Sequence, residues 1–253
     1  MNFKRIFTFG CSFTQYMPCT WADILRWDLD IPTSNYGMAG IGNEGIFCRM
    51  VECDLIHKFT EDDLIIVMWS SWSREDRYLD NDWKATGDIL VKNFYDDDFI
   101  KKYWSLSNDI IKNSTAIISA NRMFKPQFQG HIEMPLLGNL NNLNLTDKEM
   151  KLVKFYEPHI SLNNIFKYNK NTEFSKLCND PHPDLLEHLK FTKEVVYKSL
   201  GLTIKPNTEE LCHLMYTEFI NFLHNRGSAM NLTDRNNTLE KIKNDSVKKY
   251  KKI

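Results

Sequence analysis

A three-layer α/β/α protein, built on a mainly parallel sheet of about five strands, is the fold class this sequence predicts. Three observations carry the prediction. Residues Leu64–Trp69 are apolar at every position, as a parallel strand covered on both faces must be. A β-prone run, Ile6, Phe7 and Phe9, stops at Gly10. Stretches with strand character alternate with stretches of helical spacing, and that alternation implies right-handed crossovers and parallel pairing.

Taken in order, the first run ends in Gly10-Cys11-Ser12-Phe13-Thr14, where a strand would hand over to a helix. A serine on such a turn is a candidate nucleophile with helix-start amides facing it; equally, its hydroxyl could cap the next helix. Thr20 can cap a helix through Trp21–Trp27, which Pro32 ends. Gly37, Gly40, Gly42 and Gly45 crowd four glycines into nine residues, a flexible loop or a place where backbone turns sharply or approaches something closely. A helix over residues 44–58 follows, with Ile46, Phe47, Met50, Val51 and Leu55 on one side. The strand at 63–69 then ends in Ser70-Ser71-Trp72-Ser73-Arg74, beyond a strand tip where open α/β sheets bind ligands. Arg77 reads as the partner of a neighbouring carboxylate on a solvated loop. Residues 96–113 carry a helical pattern leading into Ala116-Ile117-Ile118-Ser119, which reads as a further central strand.

Residues 121–160 read as an insertion marked by Gly130, Pro135, Gly138 and the Asn/Leu run Asn139–Leu145, with one helix near 147–155. Residues 164–168 read as the last strand. Asp180-Pro181-His182-Pro183 precedes a helix that Pro183 would open, carrying Leu185, Leu186, Leu189 and Phe191. Beyond Gly201, a break at Lys205-Pro206-Asn207 leads to an amphipathic helix over 209–224 and then a polar, finally basic tail. The expected organisation is a domain over 1–201 and a helical extension over 202–253 with a solvated basic end.

A net charge of -1 gives no global reason to expect nucleic-acid or membrane-surface binding. No run approaches the ~18 apolar residues of a membrane span, and the start has no signal-peptide pattern, so a cytoplasmic setting is expected. The six cysteines show no CxxC or zinc spacing, which suits reduced, buried thiols. His57, His131, His159, His213 and His224 show no obvious partners, and no metal or cofactor is expected.

Three weak signals occur in a telling order: serine after the first strand, glycine-rich loop after the second, Asp-x-His near the end of the sheet. This resembles the SGNH (GDSL-like) hydrolase superfamily and implies its flavodoxin-like fold. Gly10–Thr14 looks like the Gly-Asp-Ser block, Asn35-x-Gly37-x-x-Gly40 like the second block, and Asp180–Pro183 like the fifth. More narrowly, Phe9-Gly10-Cys11-Ser12-Phe13-Thr14, Gly40-x-x-Asn43 and Trp69-Ser70-Ser71-x-x-Arg74 look like a phage- and marine-bacterium-associated branch, hence a phage-encoded or virion-associated protein. The resemblance covers roughly residues 3–195 and implies that Ser12 attacks an ester carbonyl. His182 would act as its base and Asp180 would orient the imidazole. It implies an oxyanion hole from the amides of Ser12 and Gly40. Ser71, Arg74 or the Asn43 side chain could serve as a further donor, and Ser71 and Arg74 are candidate substrate contacts, Arg74 for an anionic part of the substrate.

Two departures matter. The usual Asp three residues before the histidine is Asn179, with Asp180 one step closer, so support for His182 lies with either residue. The third-block Gly-x-Asn-Asp is replaced by Ser70–Arg74, removing an oxyanion donor worth ~3 kcal/mol. His188 is a rival base, although its position suits a packing role inside the helix. The activity that the resemblance implies is a serine esterase on small acyl esters, with O-acetyl groups on a glycan as the expected class. The alternatives are a faded domain that binds sugar or assembles into a particle, and a partner-binding module using the C-terminal helix and tail.

Overall fold

A computed structural model describes residues 3–89, 95–131, 145–160, 164–165, 172–180, 182–225 and 230–251. The chain divides into two compact units, one of residues 1–14 and 33–167, the other of 15–32 and 168–253. This boundary differs from the one expected at residue 201.

The first unit holds a five-stranded parallel sheet in the order β2-β1-β3-β6-β7, with β1 at Arg5–Gly10, β2 at Thr33–Asn35, β3 at Asp63–Trp69, β6 at Phe128–His131 and β7 at Asn164–Ile165. The chain is thus an α/β protein with a mainly parallel sheet and flanking helices. Every residue of β3 is buried, which explains its unbroken apolar run. Helix α2 (Asn43–His57) packs on β1 and on α4 (Leu106–Phe124), and α4 packs on α5 (Asp147–Tyr156). Ile110 and Val153 centre a small apolar cluster with Trp72, Leu106, Leu152 and Tyr156.

Three expectations are corrected in this unit. Residues 116–119 are helical, not a strand: the buried positions Ile110, Asn113, Ser114, Ile117 and Ala120 recur every three or four residues. Ser105 caps this helix, accepting from the Asn108 amide, after the short α3 (Asp97–Tyr103). The fourth strand of the sheet is instead the polar Phe128-Gln129-Gly130-His131, so residues 121–131 belong to the fold proper. Lastly, the tip after β3 is not a simple loop but an antiparallel hairpin, β4 (Arg74–Leu79) and β5 (Asp82–Asp88). Its turn residues Asp80 and Asn81 hold φ 54° and 60°, the double left-handed geometry of a two-residue hairpin loop. Pro135, Gly138, most of the Asn/Leu run and residues 166–168 lie outside the described residues.

In the second unit, α1 (Trp21–Leu29) begins after Thr20, whose amide donates to the Asp23 carboxylate 3.0 Å away. It is joined by α6 (Glu173–Cys178) and α7 (Leu185–Phe191). The latter runs through a π-helical stretch, Thr192–Tyr197, into α8 (Lys198–Leu200), followed by α9 (Pro206–Asn225) and α10 (Leu232–Tyr250). Pro183 does not open α7; Asp184 is its N-cap, accepting from the Glu187 amide at 2.9 Å. Helix α9 packs on α1, α6, α7 and α10, and its Leu211, Cys212, Met215, Phe219 and Leu223 are all at most 4% exposed. Residues beyond 201 therefore belong to this unit's core, alongside Trp21, Leu25, Leu185 and Tyr197. Buried Asp28 ties the unit together, accepting from Tyr197 Oη at 2.7 Å and from the Lys205 amide at 2.8 Å. The six cysteines form no disulfide. No helix among the described residues is long and apolar enough to cross a membrane.

Candidate active site

Strands β1 and β3 are neighbours, yet the chain leaves β1 towards β2 on one side and returns to β3 on the other. At such a reversal the carboxyl ends of the strands flank a crevice, and ligands bind there. The first three sequence blocks all sit at these ends.

Ser12 follows β1 on a turn closed by the Thr14 amide donating to the Cys11 carbonyl at 2.9 Å. It is 4% exposed, with Oγ 4.0 Å from Cys11 Sγ. No helix starts here: α1 begins only at Trp21, so the expected helix-start amides are replaced by those of the turn itself. Gly10 makes the turn possible. A Cβ there would lie 2.2 Å from Thr14 Oγ1 and 2.7 Å from the Met68 carbonyl, and its φ of 154° is one that side-chain-bearing residues rarely adopt.

The glycine-rich loop is tied to this turn twice. Met38 N–H donates to the Gly10 carbonyl at 2.9 Å, and Asn35 Nδ2 donates to the Thr14 carbonyl at 2.8 Å while Asn35 Oδ1 accepts from the Gly37 amide at 2.9 Å. A second turn, Ile41 N–H to Met38 C=O at 3.2 Å, sets Gly40 at φ 82°. Among the described residues the Gly40 amide meets no acceptor.

Asn43 is buried and fully engaged. Its Oδ1 accepts from the Ser70 amide at 2.6 Å, and Nδ2 donates to the Ser70 carbonyl at 3.1 Å and to Asn113 Oδ1 at 2.6 Å. Both amide hydrogens are spent, so this side chain clamps the end of β3 to α2 and α4 and has no donor left for an oxyanion. Asn113 continues the clamp, donating to the carbonyls of Trp72 at 3.0 Å and Asp109 at 2.6 Å. Asp76 on β4 serves the start of α2: its two oxygens accept from the amides of Gly42 at 2.8 Å and Gly45 at 2.9 Å. Gly42 is the N-cap and has no side chain to satisfy those amides, so a carboxylate from elsewhere supplies the cap. Burial raises the Asp76 pKa, opposed by the two amides. Ser71 Oγ lies 3.2 Å from Ser73 Oγ, and Arg74 Nη1 donates to the Ile41 carbonyl at 3.1 Å. Arg77 pairs with Glu75 at 3.0 Å.

The histidine side of the prediction lies in the second unit. Asn179 ends α6 in the left-handed conformation, φ 52°. Asp180 holds His182. Its Oδ1 accepts from the His182 amide at 3.0 Å and meets the imidazole Nδ1 at 2.6 Å. This Asx-turn is why two residues of separation suffice, because backbone and ring converge on one carboxylate oxygen. The other oxygen, Oδ2, accepts from Tyr16 Oη at 2.8 Å, and the Tyr16 ring stacks on the imidazole with centroids 4.0 Å apart and planes 21° from parallel. Burial pushes the Asp180 carboxyl up, but the hydrogen bonds from the His182 ring and amide and from Tyr16 outweigh it and bring the pKa to about 2. A charged carboxylate at Nδ1 fixes the tautomer, with the proton on Nδ1 and the lone pair on Nε2. That is the form of a general base.

His188 is 2% exposed within α7, and burial drops its pKa to about 3, with the nearby His182 adding to the effect. It is a neutral packing residue. Three of the histidines without obvious partners in the sequence have them in the fold: His57 Nε2 lies 2.7 Å from Tyr36 Oη, His224 Nε2 2.7 Å from Glu173, and His131 stacks on Trp72. Tyr16, Asp76 and Asn113 escaped the sequence reading. For Asp76 a signal existed, since an N-cap glycine calls for an acceptor supplied by another element; for Tyr16 and Asn113 there was none.

No family model matches the chain, and no curated protein matches it. Among solved structures it is similar to a member of the lipolytic protein G-D-S-L family from Veillonella parvula DSM 2008, at 15% identity over 78% of this chain and 96% of the other, with a TM-score of 0.39. It is also similar to a catalytic mutant of the acetylxylan esterase Axe2 from Geobacillus stearothermophilus, at 15% identity over 80% and 97% of the two chains, with a TM-score of 0.39. Likenesses at these scores say nothing of the reaction.

Proposed function

We propose that the chain is a serine esterase of the SGNH type. Ser12 is the nucleophile, His182 the base that takes its proton and returns it to the leaving alcohol, and Asp180 the group that orients and stabilises the imidazolium. The observation that carries this reading is the Asp180–His182 pair, with its short Nδ1 contact, its charged carboxylate and its fixed tautomer. Further support comes from the turn around Ser12 and the Gly40 loop bound to it, whose amides serve as oxyanion donors. Substrates are small acyl esters, and O-acetyl groups on a glycan are the class that the sequence motifs imply. Arg74 and Ser71 are assigned to the substrate side of the rim.

Hydrolysis of 4-nitrophenyl acetate and of acetylated xylan by the native protein, Ser12→Ala and His182→Ala tests the reading. Turnover that either substitution reduces by 10³-fold or more supports it. Equal turnover in all three proteins refutes it. One observation favours a faded domain that binds sugar: the Asn43 amide is spent, so this side chain does not stand in for the missing third-block donor. Xylan retained by a protein with no turnover on any ester would select that alternative.

A further inference from the structure

We propose that Tyr16 is the positioning residue of the Asp180–His182 pair, its ring fixing the plane of the imidazole and its hydroxyl locking the carboxylate. The inference rests on the esterase reading and adds to it a residue that the motifs do not contain.

The geometry divides into two restraints. An aspartate can swing about its terminal torsion, and a carboxylate bound only through Oδ1 would keep that freedom. Here Oδ1 is held by the His182 ring and amide and Oδ2 by the Tyr16 hydroxyl, three hydrogen bonds from two directions. Rotation would break at least one charge-assisted bond. The imidazole has its own freedom, a rocking about the axis through Nδ1 that the Asp180 contact does not stop. The Tyr16 ring, 4.0 Å away and nearly parallel, closes one face to that motion. Burial, followed by the facing carboxylate, raises the tyrosine's pKa, so the hydroxyl stays protonated and can only donate to Asp180. Tyr16 is half-buried and its hydroxyl donates to Asp180, which distinguishes it from a residue placed to fill the core.

Two variants separate ring from hydroxyl: Tyr16→Phe keeps the stack and loses the lock, and Tyr16→Leu loses both. The expected result on 4-nitrophenyl acetate is a fall in kcat of about threefold to tenfold for Phe and about tenfold to a hundredfold for Leu, with KM unchanged, as for other partners that orient a catalytic histidine. The second readout is the His182 Nδ1 proton by NMR, which a core-filling tyrosine would not affect. It should remain visible in slow exchange in the native protein and Tyr16→Phe and be lost in Tyr16→Leu. Should Leu prevent folding, the kcat of the Phe variant still decides. Values of kcat within twofold of native in Tyr16→Phe, or a rise in KM without a fall in kcat, would overturn the assignment of Tyr16 alone. An active His182→Ala protein would overturn it together with the esterase reading.

Discussion

Replacing Asn43 by alanine separates two roles that the sequence leaves entangled, oxyanion donor and structural clamp. In the folded chain Asn43 makes three hydrogen bonds shut away from water, two to the Ser70 backbone and one to Asn113. Alanine leaves the Ser70 amide, the Ser70 carbonyl and Asn113 Oδ1 each without a partner, at about 1–3 kcal/mol apiece. Water entering the space that the amide vacates recovers part of this, so the net loss is about 3–5 kcal/mol. For a chain of this length that lowers the melting temperature by about 6–20 °C. Asn113→Ala should cost a comparable amount, and the double variant less than the two losses together, because the residues share one network. Thermal unfolding followed by circular dichroism reads all three. A melting temperature within 2 °C of native, coupled to a hundredfold loss of turnover, would refute the clamp and return Asn43 to the chemistry.

Three other outcomes follow from the same geometry. Gly10→Ala forces a Cβ to 2.2 Å from Thr14 Oγ1 and 2.7 Å from the Met68 carbonyl at a φ of 154°. A loss of at least about 3 kcal/mol is expected, read as a drop in melting temperature or in soluble yield. Asp180 has a pKa lowered to about 2, so its contribution to stability is complete above the ordinary aspartate range and fades as pH falls through about 2. The gap in melting temperature between native and Asp180→Asn should thus be widest at pH 5–7 and close near pH 2; a gap that widens towards acid would contradict the assignment. Truncation after Gly201 strips out Leu211, Met215, Phe219 and Leu223 together with Arg235, which donates to the Cys178 carbonyl at 3.2 Å beside the Asp180 loop. The truncated chain should lose cooperative unfolding and turnover together, and full turnover would show that the second unit's core does not depend on α9.

The legible parts of the fold were those where burial on both faces leaves no room for polar residues. Strand β3 announced itself in this way, and so did the glycine that ends β1. Strand β6 was hidden because Gln129, Gly130 and His131 are polar or small, and each takes its place from neighbours rather than from its own preference. Ile117 and Ile118 misled because β-branched residues favour strands locally, whereas the spacing of buried positions over 110–120 is helical. The β4–β5 hairpin lacks the Asn-Gly signal and carries Arg-Glu-Asp-Arg along its first strand, so its charge hid its pairing. In the candidate site, the order of Ser12, Gly40 and His182 was readable from motifs alone. What could not be read was which polar groups were already committed. Asn43 has the right chemistry for an oxyanion donor, but packing spends it on Ser70 and Asn113. Tyr16 meets Asp180 across 164 residues of chain, a pairing that no local pattern encodes.

Mapping the adduct of a fluorophosphonate probe by peptide mass spectrometry tests the central claim most directly, because the reagent reports an activated hydroxyl whatever the natural ester. The account predicts a single adduct on Ser12 in the native protein and none in Ser12→Ala or His182→Ala. An adduct on another residue, or Ser12 labelled equally with and without His182, would contradict it.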